Sequence, residues 1–236
     1  MGRKPSKRIL LKLSGGVLDW NNKKAGLKFL KNIAKEIKDL IKSDYKFVII
    51  IGGGNIWRYR DNIDLKLDRV DSDHIGMLAT IVNGLIIKDV FNSEGIKTKA
   101  LTALSAPAVM DLYNPSHANK LLELCDVLVC SGGTGKPFVT TDTAAAMRAI
   151  DLKCGLIAKA TNVDFVYDKD PNKFKDARPF KALTYKEVIE KKLGIMDLNA
   201  ISLCMTNKIP IIIFNLYKKE NLKKAILGKR IGTIIN

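Results

Sequence analysis

Residues Asp126 to Ala145 read DVLVCSGGTGKPFVTTDTAA: an apolar run, a glycine turn, a hydroxyl-rich segment, an acid and an alanine-rich stretch. The run DVLVC predicts a strand buried on both faces, and residues 141–151 predict a helix. A strand that empties through a glycine turn into a helix is the building unit of a parallel sheet covered by helices. The turn can offer bare backbone N–H groups, two threonine hydroxyls and one carboxylate to the same small space. A phosphate-bearing ligand with a magnesium ion asks for that combination. GTGK at residues 133–136 does not make a P-loop, because the earlier glycine is misplaced and Pro137 follows the lysine.

The same alternation runs outward in both directions. RILLKLS is a short apolar strand that ends at Ser14-Gly15-Gly16. Residues 26–42 place Leu27, Leu30, Ile33, Ile37, Leu40 and Ile41 at helical spacing. FVIIIGGG is a continuous apolar run closed by Gly52-Gly53-Gly54. Residues 71–93 return to helical spacing through Ile75, Leu78, Val82, Leu85 and Ile86. KTKALTA is a weaker strand, SHANKLLEL a short helix, GLIAKA a strand, and residues 161–182 a long polar loop. Thr184 and Glu187 are spaced as a capping box, and Asp197 suits the N-cap of a helix over 197–207. PIIIFN, ENLKKAILG and GTII predict strand, helix and strand. The whole predicts an α/β fold with a mainly parallel sheet covered on both faces, and ligands beyond the carboxyl ends of its strands.

Composition narrows the class. At 236 residues and 47% apolar content the chain suits a globular protein. It shows no export signal and no apolar run near membrane-spanning length, so a cytoplasmic location without a membrane partner is expected. Four cysteines without CxxC or zinc spacing read as reduced, buried thiols. The net charge of +16 is spread along outer helix faces (Lys28, Lys31, Lys35, Lys38, Lys42). No basic cluster interleaves with aromatics, so nucleic acid is not an expected partner.

Each chemistry-bearing residue has a bland alternative. Lys12 can snorkel from its strand, but immediately before a glycine turn it reaches into a cleft. Three glycines at 52–54 let a backbone approach a ligand closely, and Arg58 can clamp a phosphate or lie on the surface. Asp73 is an acid near a helix start, favoured there by the dipole alone. Thr140-Thr141-Asp142 reads as an N-cap, or as a partner for magnesium or lysine. Lys159, Thr161, Asn162, Tyr167 and Asp170 gather at the end of GLIAKA and in the long loop, where they can hold an adenosine.

Taken together, KRILLKLSG, IIIGGGNIWR, DHIGMLAT, SGGTGKPFVTTD, KATNVDFVYDKDP, MDLNA and GTII occur in an order that resembles the bacterial uridylate (UMP) kinases of the amino acid kinase superfamily. The resemblance spans nearly the whole chain. It implies one αβα-sandwich domain over residues 1–236, with lobes near 1–150 for UMP and 151–236 for ATP, and the KLSG turn also meeting ATP. It also implies phosphoryl transfer from ATP to UMP, a magnesium requirement and a homo-hexamer. On this resemblance Lys12, Leu13, Ser14, Gly15, Gly54 and Arg58 meet the ATP phosphates, and Thr161, Asn162, Tyr167 and Asp170 its nucleoside. Gly53 and the segment Thr134, Gly135, Lys136, Pro137, Phe138, Val139, Thr140 and Thr141 hold UMP, with Arg58 close to its phosphate and Asp73 on its ribose. Asp142 and Asp197 are the active-site acids, Lys159 is a further cation, and Asp142 is the candidate metal ligand. Three residues depart from the family pattern: Gly16 for glutamate, Lys136 for asparagine and Phe165 for glycine. The segment after Gly16, where some members respond to GTP, is also unlike the usual pattern. Two alternatives stay open: a superfamily enzyme acting on a carboxylate or carbamate, and a non-catalytic nucleotide- or oxyanion-binding protein on the same scaffold.

Overall fold

The computed structural model describes residues 7–18 and 22–236. The strands are β1 (Arg8–Leu13), β2 (Lys46–Ile51), β3 (Thr98–Thr102), β4 (Asp111–Leu112), β5 (Val127–Ser131), β6 (Leu156–Thr161), β7 (Val166–Tyr167), β8 (Pro179–Phe180), β9 (Ala182–Leu183), β10 (Ile211–Asn215) and β11 (Thr233–Ile235). The helices are α1 (Lys23–Ile41), α2 (Arg69–Ser93), α3 (Pro115–Leu124), α4 (Thr141–Asp151), α5 (Tyr185–Glu190), α6 (Leu198–Asn207) and α7 (Asn221–Ile226). Nine strands form one sheet in the order β4-β3-β5-β2-β1-β6-β10-β11-β9. From β4 to β10 every pair is parallel, and within this sheet, among the described residues, only the β10–β11 pairing is antiparallel. The carboxyl ends of β1, β2, β5, β6 and β10 therefore share one edge, with β1 in the middle.

The strands at the centre are continuous apolar runs because both of their faces are covered. Ile9, Leu11 and Leu13 of β1 pack with α1, α2 and α7, while Leu10 packs with α3, α4, α5 and α6 on the other side. Alternation along the strand puts Lys12 on the side of Leu10, beneath α4. Lys12 and Lys159 are register partners on β1 and β6, so both leave the sheet on that side. The result is three layers, helix on sheet on helix.

Local signals behave largely as expected. Thr184 and Glu187 close a full capping box on α5, and Asp197 caps α6. All four cysteines are buried and free. Burial pushes the thiols of Cys130, Cys154 and Cys204 up to about 12, which makes them poor nucleophiles.

Four expectations need correction. The long loop after β6 is not structureless: β7 and β8 pair as an antiparallel ribbon inside it. Leu27 is 42% exposed, and the buried stripe of α1 runs through Leu30, Ile33, Ala34, Ile37 and Leu40. The apolar positions read from α2 include Leu78 and Val82, which lie on the outside at 53% and 43% exposure. The inner face of α2 carries Met77, Thr80, Asn83, Ile87 and Phe91 instead, because a helix apolar all round does not announce which side is buried. Lastly, α2 itself is long and apolar enough to cross a bilayer by length and composition. Here half of that apolar stretch is buried, and the helix packs on β3 and β5.

Candidate active site

Three glycine turns meet at the shared edge. After β1, Ser14 caps a short turn over Gly15–Val17. After β2, the Gly52 N–H donates to Leu13 O at 3.0 Å, tying the first two turns together. A Cβ on Gly15 would collide with Gly52 O at 2.7 Å, so only glycine lets these turns touch. After β5, Gly132 and Gly135 take φ of +74° and +76°, a conformation costly for other residues. The Gly132 N–H donates to Thr80 Oγ1 of α2 at 2.7 Å.

A buried ion cluster lies beneath these turns. Thr140 caps α4 by accepting from Asp142 N and Thr143 N, which places Asp142 in the first turn of the helix, over β1 and β6. The Lys12 and Lys159 ammonium groups lie 2.7 Å from the two different oxygens of Asp142. All three side chains are only 13–15% exposed. Lys159 also donates to Ile195 O. Burial holds Lys159 below the ordinary lysine range; Asp142 opposes the shift and Lys12 adds to it. Asp197 brings α6 against the same helix start. It accepts from Thr140 Oγ1, from Thr143 Oγ1 at 2.7 Å and from Ala200 N at 2.9 Å. Burial works against its ionisation, yet these hydrogen bonds outweigh burial and its carboxyl is held below the usual range.

Two clefts flank the cluster. One, of about 520 Å³, is lined by Gly53, Arg58, Asp73, Lys136, Phe138 and Thr141, among others. The other, of about 600 Å³, includes Lys159, Thr161, Asn162, Phe165, Tyr167 and Asp170. Lys159 thus borders one cleft, and Thr141, next to Asp142, borders the other.

Most residues singled out in the sequence gather here, with differences in detail. Leu13 is fully buried, so only its backbone reaches the turn. Arg58 lies over Gly54, whose missing Cβ makes room for the guanidinium, and it lines the smaller cleft. The Thr161 hydroxyl is spent within the protein, its one proton shared between Val163 O at 3.0 Å and Phe214 O at 3.2 Å. Thr134 accepts from Lys136 N at 3.3 Å and shapes the turn. Phe165 packs edge-on to Tyr167 and walls the larger cleft. Gly16 lies in the first turn, and the segment after it runs partly through residues 19–21, outside the described residues.

Other contributors were not foreseen. Asn55 and Asn83 exchange amide hydrogen bonds of 3.1 and 2.7 Å, and Asn83 donates to Gly52 O, which locks the second glycine turn onto α2. An asparagine inside the apolar stretch ATIVNGL was the available signal, since a buried amide needs partners. Arg69 and Tyr59 also line the smaller cleft, and nothing in their local spacing marks them.

The chain matches the amino acid kinase family model over residues 7–215. The fold is similar to the UMP kinase of Bacillus anthracis, with 34% identity, TM-score 0.92, and coverage of 99% of this chain and 97% of that one. It is also similar to the UMP kinase of Ureaplasma parvum, at 31% identity and TM-score 0.88, covering 100% of both chains. A uridylate kinase of Archaeoglobus fulgidus follows at 26% identity and TM-score 0.75, covering 97% of this chain and 99% of that one. Glycine turns converging on a lysine-bracketed carboxylate, together with a family match over most of the chain, lead to one conclusion: the chain belongs to the amino acid kinase family.

Proposed function

We propose that the chain transfers the γ-phosphoryl group of ATP to UMP, giving UDP and ADP. Likeness to UMP kinases along the whole length of the chain supports this. One observation carries it: two clefts of similar size lie either side of the Lys12–Asp142–Lys159 cluster, one lined by Lys159 and the other by Thr141 beside Asp142. ATP occupies the larger cleft, with Asn162, Tyr167 and Asp170 at its nucleoside. UMP occupies the smaller one, with Gly53, Arg58, Asp73 and the Thr134–Thr141 segment around it. Residues 1–150 then serve mainly the acceptor and 151–236 the donor.

Electrostatics explain the arrangement. A phosphomonoester carries roughly −2 charge at neutral pH, and ATP carries more. Two such anions repel, so cations and N–H dipoles must be in place beforehand. Lys12 and Lys159 place two ammonium groups where the phosphates meet, balanced within the protein by Asp142 and Asp197. The Gly15, Gly54 and Gly132 turns add backbone N–H groups, and Asp197 holds Thr140 and the start of α4 in position. Catalysis is then positioning and charge stabilisation, and the ionised UMP phosphate needs no strong general base.

Magnesium fits this donor set. Among the described residues no three His, Cys, Asp or Glu side chains cluster to cage a metal. Mg²⁺ is commonly held by one or two carboxylates plus substrate phosphates, and Asp142 is the carboxylate in place. Its Oδ1 is buried and faces the Lys12 ammonium at 2.7 Å, so it would hold the ion through its remaining lone pair. The ion supplies neutralisation of phosphoryl charge when bound. The buried free thiols suit a reducing compartment, the cytoplasm.

Coupled assay of ADP release with UMP, CMP, dUMP and GMP tests the proposal. UMP should give the strongest response. A stronger response to CMP would refute the acceptor assignment, and no ADP with any acceptor would favour a pure binding protein.

A further inference from the structure

We infer that Arg69 is a positioning residue that sets the Asp73 carboxylate for the acceptor ribose and clasps the mouth of the acceptor cleft. The inference rests on ATP-to-UMP transfer as proposed here. Arg69 opens α2, where a cation faces the positive end of the helix dipole. Asp68 at the N-cap and Asp71 suit that end; Arg69 does not, so its place calls for another reason.

The surroundings supply one. Arg69 Nε lies 3.1 Å from both oxygens of Asp73, one helical turn on. Its guanidinium sits 4.4 Å from the ring centroid of Tyr59 and 5.7 Å from that of Phe138. Both distances suit a cation over an aromatic face. Phe138 closes the circuit by donating its backbone N–H to Asp73 Oδ2 at 2.8 Å. To do so it takes φ of +64° and leaves its side chain 67% exposed. An exposed phenylalanine in a left-handed conformation is held there by something other than core packing. Tyr59, Arg69, Asp73 and Phe138 all line the acceptor cleft.

Arg69 thus joins three segments: the turn at 59–61, the start of α2 and the glycine-rich acceptor loop. Its guanidinium does two jobs, hydrogen bonding to Asp73 and lying over the Tyr59 and Phe138 rings. A lysine can do neither in the same way. Asp73 keeps acceptor sites beyond those used by Arg69 and Phe138, and these can take ribose hydroxyls.

Steady-state kinetics of Arg69→Ala, Arg69→Lys and Asp73→Asn, alone and combined, test this with UMP and dUMP. The Arg69 side chain is 45% exposed, so its substitutions leave the fold intact. Arg69→Ala should raise KM for UMP about 5- to 10-fold, the scale of one coupling between neighbouring polar groups. Turnover should stay within about twofold, as for lost uniform binding. The penalty should shrink with dUMP, which lacks one hydroxyl, and should be markedly smaller in the Asp73→Asn background. Lysine should not restore KM. An equal penalty with UMP and dUMP, additivity with Asp73→Asn, or full rescue by lysine would each overturn the inference. If the unmodified chain releases no ADP with UMP, the kinase proposal itself falls and takes this inference with it. An active chain indifferent to Arg69→Ala removes Arg69 alone.

Discussion

At the scale of single residues, Lys12 is the most consequential. It is the penultimate residue of β1, whose fully buried positions are all apolar, and it lies 2.7 Å from the Asp142 carboxylate. Lys12→Ala should lower turnover on the order of 10²–10³-fold, comparable to losing one preorganised charge-stabilising donor. Single-turnover kinetics would check this, and near-unchanged turnover would remove Lys12 from the mechanism. Lys12 was legible in the sequence because a lysine inside RILLKLSG breaks an apolar pattern just before a glycine turn. Arg69 was not, because a charged residue at a helix start is ordinary. Only its distances to Asp73, Tyr59 and Phe138 mark it out.

At the scale of elements, Asp197 fastens α6 to the start of α4. It is the N-cap of its own helix and accepts hydroxyls from Thr140 and Thr143. Asp197→Ala should cost about 1–3 kcal/mol, a lost cap plus lost hydrogen bonds to a charged group. The pH dependence has a definite sign. The folded-state carboxyl is held below its ordinary range. Its contribution is therefore complete above the unfolded value of about 3.9 and is lost as pH falls through the lower folded value. Urea unfolding between about pH 2 and 5 should show stability falling with acid in the native chain, and falling less in Asp197→Asn. Identical acid limbs would mean that Asp197 does not hold the two helices. The cap itself was readable from MDLNA, but the threonines that share it come from a distant segment. The β7–β8 ribbon was unreadable for a similar reason: strands of two residues carry no periodicity, and they form because the partner strand is nearby.

At the scale of the whole molecule, the outward stripe of α2 bears on assembly. Leu78 and Val82 are large, apolar and exposed on a helix whose other face is core. The homo-hexamer implied by the family resemblance would cover such a stripe. Multi-angle light scattering should give a mass several times 26.2 kDa, and Val82→Glu should lower it by charging an apolar contact. A monomeric native chain would remove that expectation. The amino-acid sequence by itself determined the alternation of strands and helices, the buried parallel core and the glycine turns at strand ends. Those features follow from apolar runs, helical periodicity and turn chemistry, all local in the chain. Tertiary structure alone decided that Lys12 and Lys159 become register partners and close on Asp142 from either side. It also decided which face of α2 is buried and how Arg69 meets Asp73 beside two aromatic rings. Strand order and helix rotation arise from packing between distant segments, and no window of neighbouring residues contains that information.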